Sequence, residues 1–447
     1  MNRQFKLMAA AVVLAAMHIA HAAVPEEQAA KLGQSLTPLG AQKAGNADGS
    51  IPAWTGQVML TRGEKIGDVP KALFPDEQPV LSISATNMDA HKARLTEGTI
   101  ALMQRYPKTF RIDVYPTHRT AVAPDYVYEN TRQNATRCTL TEDKSLEGCY
   151  GGIPFPIPKS GLEVIWNHLL RVEPESIEMS FKNIVGASNG MKMLATQNEE
   201  AWQYPYYYRD GNVDDWEGEY WLQRFYTVAP PFKAGESLVI RDGIDPDTPR
   251  QAWQYMVGQR RVRRAPTVGY DTPDFVSSGA NYFDEVMGFM GHPGRYDWKL
   301  VGKQEMYIPY NANRAVTAPQ EAAYMDAHLN PDVLRWELHR VWVVEATVAE
   351  GERHAVPRRM FYFDEDTWQL VLMDGYDRNG KLWRTSQVTP FYVPGIPAVT
   401  IKPVTVFDLR AQTFCTVQAL NGERYRVVEP RDETYFTGDA VAAETSR

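Results

Sequence analysis

The sequence offers little from which to build a staple, a membrane span or a phosphate cradle. Its 447 residues hold three cysteines, Cys138, Cys149 and Cys415. None has a histidine nearby, which excludes a cysteine-rich zinc site. One apolar run, residues 7–20, is too short to span a bilayer comfortably, and no second run of spanning length follows. Positive charge is in the minority, with 47 Lys and Arg against 55 Asp and Glu, so nucleic acid is a poor partner for this chain. No low-complexity linker divides it, and nothing repeats beyond a strand–turn–strand rhythm. Segments of helical periodicity are few.

What stands at the start is Arg3 and Lys6, the apolar run, and Ala20-His21-Ala22. That order describes a secretory signal peptide cleaved after Ala22. No cysteine follows the cleavage point, so a lipid anchor is not expected. The expected mature chain, residues 23–447, is an exported, acidic protein. Export permits a disulfide, and Cys138 and Cys149 flank a short "TLTEDKSLEG" that suits a hairpin tip. Cys415 is then left over as a small buried apolar residue.

Most of the chain alternates like strands. "EYWLQRFYTVA" (219–229), "AWQYMVGQRRVRR" (252–264), "RVWVVEATV" (340–348), "RRMFYFD" (358–364), "WQLVLMD" (368–374) and "LWRTSQVTP" (382–390) are rich in aromatic and β-branched residues. Short Asp/Gly turns separate them, which indicates antiparallel meanders because parallel neighbours need long crossovers. "SGLEVIWNHLLR" predicts a helix, with Ser160 and Glu163 at capping-box spacing. Weaker helical patterns cover 25–34, about 88–105, and "NYFDEVMGFM".

The motifs that could carry chemistry mostly dissolve. "SLTPLGAQKAGNADGSIPAWTG" (35–56) has glycines at Gly40 and Gly45, but Asn46 stands where a phosphate loop needs lysine. It reads better as a clasp, about residues 30–60, in which Ile51 and Trp54 dock on the body. "GASNG" (186–190) matches a nucleophile elbow around Ser188, which needs a strand before it and a helix after it. "RDGNVDDWEGEYW" lacks the Gly and Glu of a calcium loop. No metal and no cofactor are expected. Arg261 and Arg263 share a face of a strand end and could grip an anionic headgroup. Asn134-Ala135-Thr136 is a glycosylation sequon in form only.

The aromatic strands pose the main question. Trp253 and Tyr255 alternate on one face, as do Trp342 and Val344, Phe361 and Phe363, and Trp368, Leu370 and Leu372. With few helices to cover it, such a face needs a partner. A curved sheet closing around an apolar cavity supplies one, and these nine residues are the candidates to line it.

Five stretches together resemble a known family: "LTPLGAQKAGNADGSIPAWTG", "GGIPFPIPKSGLEVIWNHLLR", "RRVRRAPTVGYDTPDF", "RYDWKLVGKQEMYIPYN" and "FYFDEDTWQLVLMDGYDRNGKLWR". The chain is similar, over about residues 30–420, to a Gram-negative periplasmic family of unknown function labelled outer-membrane lipoprotein-sorting-like. The resemblance implies a mainly β fold like the LolA, LolB and LppX carriers, an unclosed, strongly bent antiparallel half-barrel with helices plugging its concave side. It implies a single domain, a periplasmic location, and a hydrophobic small molecule or lipid as ligand. An efflux-type inner-membrane transporter and an outer-membrane protein are the partners it suggests. The alternatives are a serine esterase using Ser188, with His292, His339 or His354 as base, and a non-catalytic adaptor of an envelope transport complex.

Overall fold

The computed structural model describes residues 23–59, 71–393 and 398–445; the expected signal peptide lies outside them. In chain order the strands are β1 (Leu81–Ser84), β2 (Arg111–Val114), β3 (Thr139–Leu140), β4 (Leu146–Glu147), β5 (Ser176–Gly186), β6 (Lys192–Gln203), β7 (Glu219–Ala229), β8 (Ser237–Gly243) and β9 (Arg250–Met256). They continue as β10 (Arg261–Arg264), β11 (Tyr296–Pro309), β12 (Trp336–Val348), β13 (Arg358–Asp364), β14 (Leu370–Tyr376), β15 (Leu382–Val393), β16 (Ala398–Asp408), β17 (Thr413–Ala419) and β18 (Tyr425–Val427). The α-helices are α1 (Glu26–Ala29), α2 (Glu97–Arg105), α3 (Asp125–Arg137), α4 (Gly161–Leu169), α5 (Asn313–Thr317), α6 (Gln320–Ala323) and α7 (Gly438–Thr445).

Apart from the β3–β4 hairpin, the strands form one sheet of sixteen. Its order is β1-β2-β12-β13-β14-β15-β16-β17-β5-β6-β7-β8-β9-β10, with β11 paired to β12 and β18 to β5. The ladders are antiparallel, as short turns require, except where β2 meets β12 in parallel at Trp336 and Val114. Neither β10 nor β11 closes onto the far end, so the sheet is mainly β, curved and unclosed. Its curvature follows from its core. Strands stand about 4.8 Å apart, so a flat sheet of this size would spread roughly 65 Å. Yet Trp166 and His168 of the one short helix α4 reach Tyr220 of β7 and Phe363 of β13, with ring centroids 6.3 and 5.5 Å apart, and strands seven places apart come so near only in a bent sheet that gathers one buried cluster. The face turned toward that cluster is here the inner face.

The outer face carries two separate clusters. One lies under α2 and includes Leu102, Ile112, Val341 and Leu372. The other joins Leu222 and Val239 to Phe436 and Val441 at the C-terminal end. The expected helix appears as α4, where the Ser160 hydroxyl accepts from the Glu163 amide at 3.2 Å and Val164, Ile165 and Trp166 are fully buried. The weaker helical patterns shrink: 25–34 holds only α1, and "NYFDEVMGFM" holds one 3-10 turn, Phe283–Glu285. The longest helix, α3, has no apolar stripe to announce it, since only Val127, Thr131, Asn134 and Ala135 are buried along it.

Residues 252–264 are not one strand. A 3-10 turn at Val257–Gln259 and a left-handed Arg260 (φ 49°) break them into the β9–β10 hairpin. The segment 35–56 is docked by polar contacts as well as apolar ones. Ile51 is buried, and the Trp54 indole donates to the Ala121 carbonyl at 2.7 Å. Gly40 has φ +103° and lies so close to Pro156 that an added Cβ would sit 2.0 Å from its carbonyl oxygen, so only glycine fits there. Cys138 and Cys149 form a disulfide that closes the β3–β4 hairpin at the end of α3, and Cys415 is free and buried. Asn134 is fully buried, its amide donating to the carbonyls of Tyr150, Gly152 and Ile153 at 3.1, 3.2 and 3.4 Å.

Candidate functional site

The inner face is where the sequence places a ligand, and there the structure is full. Two segments lie over it. The first is α4. Its His168 is completely buried, with Nε2 3.1 Å from the Phe289 carbonyl and Nδ1 accepting from the Leu370 amide at 3.1 Å. Burial and the nearby Arg171 hold that imidazole well below its usual pKa, so a neutral ring ties α4 to the sheet. The second is the connection from β10 to β11, residues 265–295. It contains three 3-10 turns and no α-helix or strand, yet buries Val276, Phe283, Val286, Phe289 and Met290 against the strands. A connection this long without regular structure is uncommon, and in compact domains such segments usually serve as lids or binding loops.

This cover is fastened by buried ion pairs. Arg384 of β15 grips Glu285 through two bonds of 2.6 and 2.8 Å. Arg359 of β13 lies 2.9 Å from Asp284, and His354 lies 3.0 Å from the same carboxylate. Burial alone would raise the Asp284 carboxyl, but Arg359 and His354 outweigh it and hold it at about 2.

Between cover and sheet remains a cavity of about 30 Å³, walled by Phe181, Phe225, Leu238, Ile240 and Phe283 and floored by Gln223, Gln418 and Asp274. That is room for about one water, and an acyl chain does not fit this closed form. A polar group lies beside it. Glu200 accepts hydrogen bonds from Gln223 and Gln418, and burial pushes its carboxyl up to about 7. Lys402 of β16 is fully buried with its Nζ 3.6 Å from the Trp202 ring centroid, and that Nζ has no hydrogen-bond partner among the described residues. Burial drives the ammonium down to about 8, although Glu173 and Glu200 pull the other way. The inner face therefore combines apolar walls with a lysine that has no hydrogen bond among the described residues and two carboxyls, Glu200 and Asp274, that burial raises to about 7 and about 6. A cleft of about 630 Å³ lies elsewhere, open to the surface among Glu175, Asp210, Asp215, Glu217, Glu219 and Glu433. Its rim is too acidic for a hydrophobic guest.

The nine cavity candidates divide. Val344, Phe361, Phe363, Trp368 and Leu370 are buried in the inner cluster, with Trp342 packed at its edge. There the Trp342 and Trp368 rings stack at 6.1 Å, and the Trp368 indole donates to Leu39 of the clasp at 2.7 Å. Leu372 is turned to the outer face. A bulge, where Phe363 pairs with Leu370 but Tyr362 with Leu372, breaks the alternation that the sequence implied. Trp253 and Tyr255 also sit on the outer face, in the C-terminal cluster, because it is Ala252 that points inward. Arg261 and Arg263 are exposed on β10, an edge strand away from the cavity, and Arg264 lies over Trp253. Ser188 stands exposed in the turn between β5 and β6. A strand follows it instead of a helix, so the elbow needed for an esterase does not form. Sequence reasoning missed Lys402 and Glu200. The only available signal was a lone charge amid the β-branched residues of "AVTIKPVTV".

A family profile described as "Protein of unknown function (DUF1329)" matches residues 82–442. The chain is 40% identical over 438 residues to "Uncharacterized protein PA3922" of Pseudomonas aeruginosa, covering 95% of each. Among solved structures it is similar to a DUF1329 family protein from Desulfovibrio piger (14% identity, TM-score 0.41, 60% of this chain and 92% of that one). A putative outer membrane lipoprotein-sorting protein domain from Vibrio parahaemolyticus shows 11% identity and a TM-score of 0.44, over 63% of this chain and 98% of that one. The LolA superfamily protein NE2245 from Nitrosomonas europaea shows 10% identity and a TM-score of 0.36, over 63% and 100%.

Proposed function

The chain belongs to the DUF1329 family, and on that premise we propose that it is an exported, periplasmic carrier that takes a hydrophobic molecule between its curved sheet and the 265–295 cover. The observation that carries this reading is the cover itself. The largest apolar surface of the protein is sealed by a long connection of short turns, the kind of element that can leave without unpairing a strand. In the closed form the cover's own Val276, Phe283 and Met290 occupy the guest's place. Displacing them exposes apolar walls worth about 25 cal/mol per Å² of guest surface buried, and Lys402 offers a charge for a polar or anionic end. No reacting group is needed, and the reading is of a binding protein, not an enzyme.

Where such a carrier would meet its donor and acceptor is suggested by the hairpin tips. In a meander, the β5–β6, β7–β8 and β9–β10 turns fall at one end of the sheet. That end exposes Met191, Met193, Val228, Phe232 and Val257, an apolar fringe suited to a membrane protein of the envelope. Organic extraction of protein purified natively from its own compartment, followed by mass spectrometry, tests the proposal. A hydrophobic compound at near one equivalent is the expected result. Protein that arrives empty and takes up no fatty acid, phospholipid or acylated peptide would remove the carrier reading.

A further inference from the structure

A second cluster lies on the other side of the sheet, where β12 and the β13–β14 turn meet the clasp. His339 of β12, Asp364 at the end of β13 and Asp366 in the turn are all buried, the exposed fraction of each side chain being 4% or less. Their donor atoms come together: His339 Nδ1 is 3.8 Å from Asp364 Oδ1 and 3.9 Å from Asp366 Oδ2, and each of the three residues offers one ligand atom within 4.8 Å of the others.

The hydrogen bonds around them fix which lone pairs face inward. His339 Nε2 is 3.1 Å from Glu337 Oε2. The Glu337 carboxylate also accepts from Arg335, Asn311 and the His118 amide, at 2.5, 2.9 and 2.8 Å. A carboxylate so occupied is ionised and accepts a hydrogen bond from the ring, which assigns the N–H to Nε2 and the lone pair to Nδ1. The Tyr310 ring stacks on the imidazole at 3.9 Å and fixes its plane. Asp366 accepts the Arg119 fork at 2.8 and 2.6 Å. Asp364 Oδ2 accepts from the amide and hydroxyl of Thr367, at 2.9 and 2.6 Å. Among the described residues, His339 Nδ1 and Asp364 Oδ1 have no hydrogen-bond partner. Arg119 pairs with Asp366 and Arg335 with Glu337, but among the described residues no Lys or Arg lies within ion-pair distance of Asp364.

Three electron-rich atoms thus face one point inside the protein. They are too far apart to hydrogen-bond to each other, and although Arg119 pairs with Asp366, no described Lys or Arg pairs with Asp364. We propose that His339 Nδ1, Asp364 Oδ1 and Asp366 Oδ2 hold a divalent transition-metal ion, with zinc the best match. An imidazole nitrogen with two carboxylate oxygens suits zinc and disfavours magnesium and calcium, which prefer oxygen alone. A zinc ion about 2.0–2.2 Å from each ligand sets tetrahedral donors about 3.3 Å apart, so each histidine–carboxylate pair closes by roughly half an ångström. Glu337 plays the part of the outer carboxylate that commonly orients a metal-binding histidine. The ion would also set the clasp. Arg119, held by Asp366, donates to the carbonyls of Gln42, Lys43 and Pro52 at 2.7, 3.1 and 3.3 Å, and Glu365 in the same turn accepts the Gln42 amide.

The experiment uses the untagged mature protein, stripped with a chelator and titrated with zinc against a chromophoric competitor. One equivalent of zinc binds, magnesium does not displace it, and 35–56 becomes more resistant to protease. Glu337→Gln weakens zinc by about 10–100-fold, and Asp364→Asn and His339→Gln by more than that, while Glu200→Gln, on the inner face, leaves it unchanged. Folded wild-type protein that binds no zinc would show that a proton, not a metal, neutralises Asp364. Zinc binding that is unaltered in folded Asp364→Asn or His339→Gln protein would place the ion elsewhere. Should those variants not fold, cobalt added to stripped wild-type protein decides. A visible d–d band of a four- or five-coordinate nitrogen and oxygen site upholds the assignment, and a colourless protein overturns it.

Discussion

Lys402 shows how much a single side chain can reveal about an interior. An ammonium with no hydrogen bond to any described residue, resting on an indole face, is a costly group to bury, and burial lowers its pKa to about 8 from a usual value near 10.5. In that window the unfolded chain holds the proton more tightly than the folded one, so stability rises with pH. Relative to Lys402→Met, the wild type therefore gains up to about 3 kcal/mol between pH 8 and 10.5. Denaturant melts of both proteins across that range measure it, and a constant difference would mean that the amine is not buried. Single residues were legible in the sequence where chemistry is local: the Cys138–Cys149 spacing and the Ser160 cap needed only their neighbours. Leu372 and Trp253 were not, because a bulge and a hairpin decide which way each points, and neither shows in the alternation of the strand itself. His339 and the Asp364–Asp366 turn were visible as residue types, but only the β12–β13 register brings them together.

At the scale of elements, the cover and its fastening matter most. Removing one partner of a buried ion pair costs about 3–5 kcal/mol because the other charge is stranded. Asp284→Asn leaves Arg359 in that position, so protease should cut within 265–295 faster than in wild type while the sheet stays protected. Equal cleavage would show that the pair does not fasten the cover. The pH dependence has a definite sign. Asp284 is held at about 2, below a free carboxyl near 4, so its contribution is present above pH 4 and lost as pH falls toward 2. Strands were the most legible elements because alternation reports half-burial directly. The cover was not, since "NYFDEVMGFM" looks helical while its backbone takes short turns fixed by Arg384 and Arg359 from distant strands. For α3 the signal was weak in itself: its Asn, Thr and Tyr residues are poor helix formers, and the disulfide and the Asn134 bonds hold it in place.

For the molecule as a whole, the central fact is a bent sheet that fills its own hollow. The unclosed, mainly β architecture was readable from strand density and short turns, but the small free volume was not, because the groups that fill it come from a connection with no pattern of its own. A guest that must wait for the cover to leave binds at a rate limited by that departure. Loading of a fluorescent fatty acid should therefore saturate as its concentration rises, and Asp284→Asn should lift the plateau. A rate that stays linear in concentration would mean that the guest enters by another path. The Asn134 amide bears on how the protein can be made. In a eukaryotic secretory pathway the oligosaccharide would be attached to this very nitrogen, which in the folded chain is spent on three carbonyls with no space beside it. Yeast or insect cells would thus be expected to yield unmodified protein in competition with misfolded glycoprotein, a competition that a bacterial host avoids.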